Sequence, residues 1–282
     1  MSRAVVLGGN GQLGSDLILH SPKTWEVVSH FRSEWDVTHE GGFEYLSGIN
    51  PDVIINTTAF HNVDECEKNP ALAYSVNRDA VDSLAKIAKK MGAILVHIST
   101  DYVFGDGENE KNQPFTESSE PSPMNIYGKS KLEGEERIRG NLERHYIMRI
   151  SSVFGKAGAS GKGGNFVYTM LNLGRTKDEL GVIDDIIMSP TYTVDAAKSI
   201  WRIIVENRDF GTYHCNNSGQ CSWYEFTKEI MKIAEIDTPV NPVRHTEYPS
   251  LAEKPLFSAM ASERGANGRE WRDALSDFIH LL

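Results

Sequence analysis

The stretch VVLGGNGQLGSDL, residues 5–17, ends an apolar run on three glycines spaced three apart, Gly8, Gly11 and Gly14. The glycines lead straight into QLGSDLILH, whose spacing predicts a helix. A buried strand, a tight turn and a helix are therefore expected. Glycine lets the chain turn sharply, lets the backbone approach a pyrophosphate, and lets the helix pack close with its N-terminus toward the phosphates. The same spacing recurs at Gly155, Gly158 and Gly161 in FGKAGASGKGG. That copy runs on into Lys-Gly-Gly rather than into a helix, and it lacks the G-K-[ST] of a P-loop, so a flexible loop is expected there.

Working outward, AVVLGG, EVVSHF, DVIINTTAF, AILVHIST and YIMRISSVFG read as strands. NPALAYSVNRDAVDSLAKIAKKMG reads as one long helix, with Pro70 near its start, lysines in its last turn and Gly92 closing it. Strand-helix alternation with continuously apolar strands indicates an α/β fold, a Rossmann doubly wound parallel sheet. After the fourth strand comes GDGENEKNQPFTESSEPSPMN, polar and longer than an ordinary connection. The second half is less regular. It has helical patterns at NFVYTMLNLG, TVDAAKSIWRIIVEN, SWYEFTKEIMKIAEI and REWRDALSDFIHLL, and short strands near LGVI and GTYHC. The expected division is a dinucleotide-binding domain over 1–150 and a smaller C-terminal α+β substrate lobe over 151–282, some segments of which return to the first domain.

With 29 Lys and Arg against 39 Asp and Glu, the chain of 282 residues carries a net charge of −10. Such a surface repels nucleic acid and anionic membranes, so neither is an expected partner. Cys66, Cys215 and Cys221 form no C-x-x-C pair and no zinc spacing, which suits a reducing compartment and predicts no metal site. The opening MSRAVVLGG is too short before its glycines to serve as a signal peptide. No apolar run of about 18 residues occurs, and a cytoplasmic protein is expected.

Two features bear on chemistry. The second strand ends SHFRSEWDV. Arg32 stands where a fork-shaped cation would accept a 2′-phosphate, which favours NADPH over NADH even with Glu34 close by. Asp36 and Val37 are expected to flank the adenine. The spacing Y-x-x-x-K occurs twice, at Tyr127 and Lys131 in YGKSK and at Tyr224 and Lys228 in YEFTK. Four residues apart on a helix, the two side chains share a face. An ammonium there is expected to lower the phenol pKa and ease reversible proton transfer. The second pair lies in an amphipathic helix with an apolar stripe and reads as helix surface. The first follows the fourth strand, whose end STDY brings Thr100, Asp101 and Tyr102 to the carboxyl rim where such sheets bind ligands.

GGNGQLG, INTTAFHNVDECEKNP, STDYVFG, SPMNIYGKSKLEGE, RISSVFG and SPTYTVDAA together resemble the extended short-chain dehydrogenase/reductase family, and within it the dTDP-4-dehydrorhamnose reductases. The likeness implies reduction of the 4-keto group of a dTDP-6-deoxy sugar to give dTDP-L-rhamnose, with NADPH or, as the lesser expectation, NADH. It implies that Thr100 bonds the keto oxygen, that Tyr127 protonates it, and that Lys131 binds the nicotinamide ribose. The cofactor would lie along Gly8, Asn10, Gly11, Gln12, Leu13 and Gly14, then Arg32, Asp36 and Val37, then Thr58 and Ala59, ending at Tyr127 and Lys131. Asp101, Tyr102 and Val63 would meet the sugar, and Asn165, Phe166, Pro190 and Thr191 the nucleotide. The expected assembly is a monomer or homodimer.

Three departures from the family pattern stand out. Ser152 occupies the place of a tryptophan that faces the sugar, His61 that of a threonine, and Lys254 that of an arginine in a late signature. His61 reads equally as a substrate contact and as a plain loop residue. Two other functions stay open. One is a nucleotide-sugar epimerase of the same fold, since a dehydratase would carry Asp-Glu where Asp101 and Tyr102 stand. The other is a non-catalytic NADP-binding subunit, resembling the regulatory beta subunit of methionine adenosyltransferase.

Overall fold

The computed structural model describes residues 1–105, 113–158 and 164–282. In chain order the first half runs β1 (Ser2–Leu7), α1 (Gln12–Leu19), β2 (Trp25–His30), α2 (Gly42–Ile49), β3 (Val53–Asn56), α3 (Val63–Lys68), α4 (Pro70–Tyr74), a π turn (Ser75–Asp79), α5 (Ala80–Met91), β4 (Ile94–Thr100), a 3-10 turn (Asp101–Val103), α6 (Ile126–Asn141) and β5 (His145–Ile150). The second half adds β6 (Val153–Phe154), α7 (Phe166–Thr176), β7 (Leu180–Ile183), β8 (Ile187–Met188), β9 (Thr191–Tyr192), α8 (Thr193–Val205), β10 (Gly211–His214), β11 (Cys221–Ser222), α9 (Trp223–Ile233), β12 (Val240–Val243) and α10 (Trp271–His280).

Six parallel strands form the main sheet in the order β10-β5-β4-β3-β1-β2. All four residues of β3 are buried, as are the last six of β4, because helices cover both faces. One face packs Leu13, Leu17 and the α8 residues Ala197, Ile200 and Ile204. The other packs Leu46, Leu84, Ala85, Ala88 and Ile138. A third core, around Phe154, Phe226, Trp271 and Phe278, belongs to the second half of the chain.

Three expectations change. Residues 70–91 do not form one regular helix: α4 and α5 flank a π turn, while Pro70 does open the segment and Gly92 closes it at φ +70°. YIMRISSVFG is two strands rather than one. Ser152 takes φ +43°, which turns the chain out of the main sheet, and β6 then pairs with β9. The GTYHC strand belongs to the main sheet as β10 alongside β5, where Tyr213 is buried in the core. α2 was not foreseen: its eight residues lie between Gly41 and Asn50, both left-handed, and so read locally as turn. Of the second glycine series, Gly161 lies outside the described residues.

Candidate active site

β1 delivers the chain directly into the glycine turn. Gly8 has φ +83°, a region that a side chain disfavours, and its carbonyl accepts from the Gly11 N–H at 2.9 Å. A Cβ on Gly14 would collide with the Gly8 carbonyl, so only glycine lets α1 sit this close to the turn. α1 starts without a side-chain cap, leaving its first N–H groups without internal acceptors and favourable to an anion. Asn10 is exposed on this turn. The Leu13 side chain packs into the core, so only its backbone is left to a ligand.

At the end of β2 the Arg32 side chain is 86% exposed, with Nε donating to Asp36 Oδ2 at 2.7 Å. Burial alone would raise the Asp36 carboxyl pKa, but Thr38 donates to it through N and Oγ1, and with Arg32 these bonds hold it down at about 2. The Val37 side chain belongs to the same core cluster as Val5 and Ile54, so its backbone rather than its side chain is left to an adenine. After β3, Thr58 donates through N (3.1 Å) and Oγ1 (2.6 Å) to Asn56 Oδ1. Ala59 and Val63 are half-buried and His61 is exposed. Asn77, from the π turn, exchanges hydrogen bonds with Phe60 N and O and donates to Ser130, tying this loop to α6.

β4 and α6 bring the reactive side chains together. Asn125 caps α6 by accepting from Gly128 N, so Tyr127 lies in the first turn and Lys131 one turn on. Gly128 lets that turn press on the 3-10 turn, where any Cβ would strike the Tyr102 carbonyl. Thr100 lies close enough to the Tyr127 hydroxyl to act on its titration, and the Tyr102 ring meets the Tyr127 ring edge-on at 5.6 Å. Burial pushes the Tyr127 phenol above its ordinary value; Thr100 pulls it down, while Asp101 and Cys66 push it up. The expected lowering by Lys131 does not appear. The ammonium position is turned instead to Ile98 O at 2.6 Å and His97 Nε2 at 3.0 Å. Burial lowers the Lys131 pKa to about 8, and Glu135 works against that shift.

Several expected sugar or nucleotide contacts are internal fasteners. Asp101 is 3% exposed and accepts from Thr100, Ser151 (2.8 Å) and Ser258 (2.6 Å), so it holds the rim together rather than lining an open pocket. Burial raises its pKa against those hydrogen bonds. Asn165 caps α7 and donates to Gln12 Oε1 (2.9 Å) and Gly155 O (2.8 Å), which commits both its amide N–H groups to joining the glycine turn to the second half. Gln12 also donates to Val153 O. Phe166 packs against Trp223 at the third core, with ring centroids 4.4 Å apart and the rings tilted by 50°. Thr191 has no exposed surface and Pro190 is buried, so their side chains support β9. Ser152 is half-buried at the break between β5 and β6.

The competing pair sits elsewhere. Lys228 lies 5.4 Å above the Tyr224 ring on α9, an ordinary cation-ring contact within the second half. Two surface clefts, one beside Pro114, Gly219 and Met260 and one beside Asp184, Val243 and Arg244, share no residue with the rim, so chemistry rather than concavity picks it out. Sequence reasoning passed over His97, Asn56, Glu135, Ser151 and Ser258. His97 and Glu135 did leave a signal: one polar residue inside an apolar strand, and one carboxylate a helical turn beyond Lys131. Glu135 is fully buried and is held by Arg149, Arg139 and Ser99. No helix among the described residues is long and apolar enough to cross a membrane. Cys66, Cys215 and Cys221 are free and buried.

Comparison with known proteins agrees with this geometry. A family described as the RmlD substrate binding domain matches residues 2–282. The spore coat polysaccharide biosynthesis protein SpsK of Bacillus subtilis is 37% identical, over 99% of this chain and 97% of that protein. The dTDP-4-dehydrorhamnose reductase of Aggregatibacter actinomycetemcomitans is 34% identical, over 98% of each chain. A dTDP-4-dehydrorhamnose reductase of Bacillus anthracis, solved in complex with NADP, superposes with a TM-score of 0.92 at 33% identity over 100% of both chains. The chain belongs to the RmlD substrate binding domain family, on a Rossmann-like α/β fold.

Proposed function

We propose that this protein reduces the 4-keto group of a dTDP-6-deoxy-4-keto sugar with NADPH, giving dTDP-L-rhamnose. The observation that carries the reading is the convergence of Thr100, at the end of β4, with Tyr127 and Lys131 on one face of α6 at the carboxyl rim of the sheet. The reductases among the relatives support the substrate class, and the NADP complex of one of them supports the cofactor.

The residues present fit a dinucleotide. The uncapped α1 N-terminus and the Cβ-free approach between Gly8 and Gly14 suit a pyrophosphate, and the exposed Arg32 fork suits a 2′-phosphate. When bound, the nicotinamide supplies the hydride that reaches the keto carbon. Thr100 donates a hydrogen bond to the keto oxygen and orients it. Tyr127, kept protonated by its enclosed setting, passes its proton to that oxygen as negative charge gathers there. Lys131 binds the ribose hydroxyls; the Thr100 O–H, which points to Asp101 Oδ1 in the ligand-free fold, must turn from Asp101 to the keto oxygen when substrate binds. Residues 1–150 are assigned to the cofactor and much of 151–282 to the sugar nucleotide, with Ser152, His61, Val63 and Tyr102 as the side chains left accessible to it. Acidic charge and buried free thiols suit a cytoplasmic enzyme.

The test is NADPH oxidation followed at 340 nm with dTDP-4-dehydrorhamnose, for the native chain and for Tyr127→Phe. Loss of the proton donor should cut turnover about 10²–10⁴-fold and leave NADPH binding near normal. Native turnover with no net NADPH consumed, or Tyr127→Phe activity within a few-fold of native, would overturn the reading.

A further inference from the structure

Two side chains of α1, one turn apart on the same helix face, reach into the second half of the chain. Gln12 accepts from Asn165 Nδ2 at 2.9 Å and donates through Nε2 to Val153 O at 3.4 Å. Asp16 accepts from Thr193 Oγ1 at 2.5 Å. Asn165 caps α7, and Thr193 is the first residue of α8. Gly155 sits between the two ties. A Cβ there would lie 1.9 Å from Thr193 Oγ1, and the Gly155 carbonyl accepts from Asn165 Nδ2 at 2.8 Å. The second glycine series thus opens on a residue that this crossing requires to be glycine.

The Gln12–Asn165 link has a fixed direction. Tyr168 N can only donate, so the end of the Asn165 amide that it meets, at 3.2 Å, is the oxygen. The amide nitrogen is then turned to Gln12 and Gly155 O. Val153 O can only accept, so Gln12 turns its nitrogen to Val153 and its oxygen to Asn165. Gln12 and Asn165 are each 8% exposed and Thr193 has no exposed surface, so these bonds are made away from solvent. Gln12 is also the first residue of α1, whose opening N–H groups are left to an anion. One residue therefore serves the anion site through its backbone and the α7 cap through its side chain.

We propose that Gln12 is a positioning residue through which cofactor and sugar nucleotide strengthen each other's binding. A dinucleotide seated on the glycine turn fixes the start of α1 and with it Gln12. Gln12 holds Asn165, and Asn165 holds the first turn of α7. The second ligand then meets a second half already ordered, and its binding loses less conformational freedom. The effect is reciprocal: whatever factor the cofactor adds to nucleotide binding, the nucleotide adds to cofactor binding. The inference rests on the proposed placement of the pyrophosphate at α1 and of the sugar nucleotide on the second half.

The test uses NADP⁺ and dTDP as probes and needs no turnover. In the native chain, saturating NADP⁺ should tighten dTDP binding about fivefold or more by calorimetry. It should also slow hydrogen exchange at Tyr168 N, which bonds Asn165 and not the glycine turn. Asn165→Ser keeps a cap for α7 but is too short to reach Gln12. Gln12→Met keeps the bulk and removes both hydrogen bonds. In either variant NADP⁺ should change dTDP affinity by less than about twofold and leave Tyr168 exchange unaltered, and the double variant should lose nothing more, as one shared link requires. A purely structural link would instead lower stability and weaken both ligands while the NADP⁺ effect on dTDP survived. That survival in both variants, or no NADP⁺ effect in the native chain, would overturn the proposal. Failure of dTDP to bind the native chain at all would count against the reductase reading, and the response of Tyr168 exchange to NADP⁺ would still decide whether the link carries the cofactor's state.

Discussion

Replacing Glu135 by glutamine tests whether α6 is held in place by one buried charge. Glu135 has no exposed surface and accepts four hydrogen bonds: from Arg149 Nε (3.0 Å) and Nη2 (2.7 Å), Arg139 Nη2 (2.7 Å) and Ser99 Oγ (2.5 Å). Arg149 is itself 2% exposed. Glutamine keeps the shape but leaves the Arg149 guanidinium buried without a counter-charge, and its NH₂ must face a donor. Removing one partner of a buried pair costs about 3–5 kcal/mol. In a chain of 282 residues that lowers the melting temperature by roughly 5–8 °C. The pH dependence carries a sign. Burial would raise the Glu135 pKa, but Arg149, Arg139 and Ser99 outweigh it and lower it in the fold. Its contribution to stability is therefore fully present above the ordinary glutamate value near 4.3 and is lost as pH falls through the lowered folded value. Calorimetry of Glu135→Gln should show the largest deficit at neutral pH and convergence with the native protein in acid. A melting temperature within about 2 °C of native at pH 7 would refute the reasoning, since the unpaired Arg149 would then have found another partner. Ser99 neighbours Thr100 and Lys131 lies one turn before Glu135, so turnover should fall together with stability.

Other expectations concern the two ends of the site. Arg32→Ala should weaken NADPH binding about 10–100-fold, the worth of a charge-assisted bond of about 1.5–3 kcal/mol, and leave NADH binding within twofold; equal losses in fluorescence titrations would remove the 2′-phosphate argument. Tyr224→Phe should leave turnover within about twofold of native, because that ring meets Lys228 on α9 and touches no member of the Thr100–Tyr127 pair. A loss of activity comparable with that of Tyr127→Phe would reverse the choice between the two tyrosines.

Much of the frame was legible from short-range pattern. The apolar run into Gly8, Gly11 and Gly14 specified strand, turn and helix, because φ +83° at Gly8 and the missing Cβ at Gly14 are local requirements. The four-residue spacing put Tyr127 and Lys131 on one helix face, and the order of elements singled out this pair over Tyr224 and Lys228. What Lys131 touches was not legible. His97 lies 34 residues away and takes its direction from Asn56, 41 residues further back. The family likeness implied that Asp101, Asn165 and Thr191 meet the sugar nucleotide, and in the ligand-free fold all three are buried. Their partners, Ser258 for Asp101 at 157 residues and Gln12 for Asn165 at 153, appear only once the chain has folded. Periodicity and glycine geometry are properties of neighbouring residues, so the sequence carries them directly. Burial and hydrogen-bond saturation are set by residues that meet across the fold, and those decided which polar side chains are left to act.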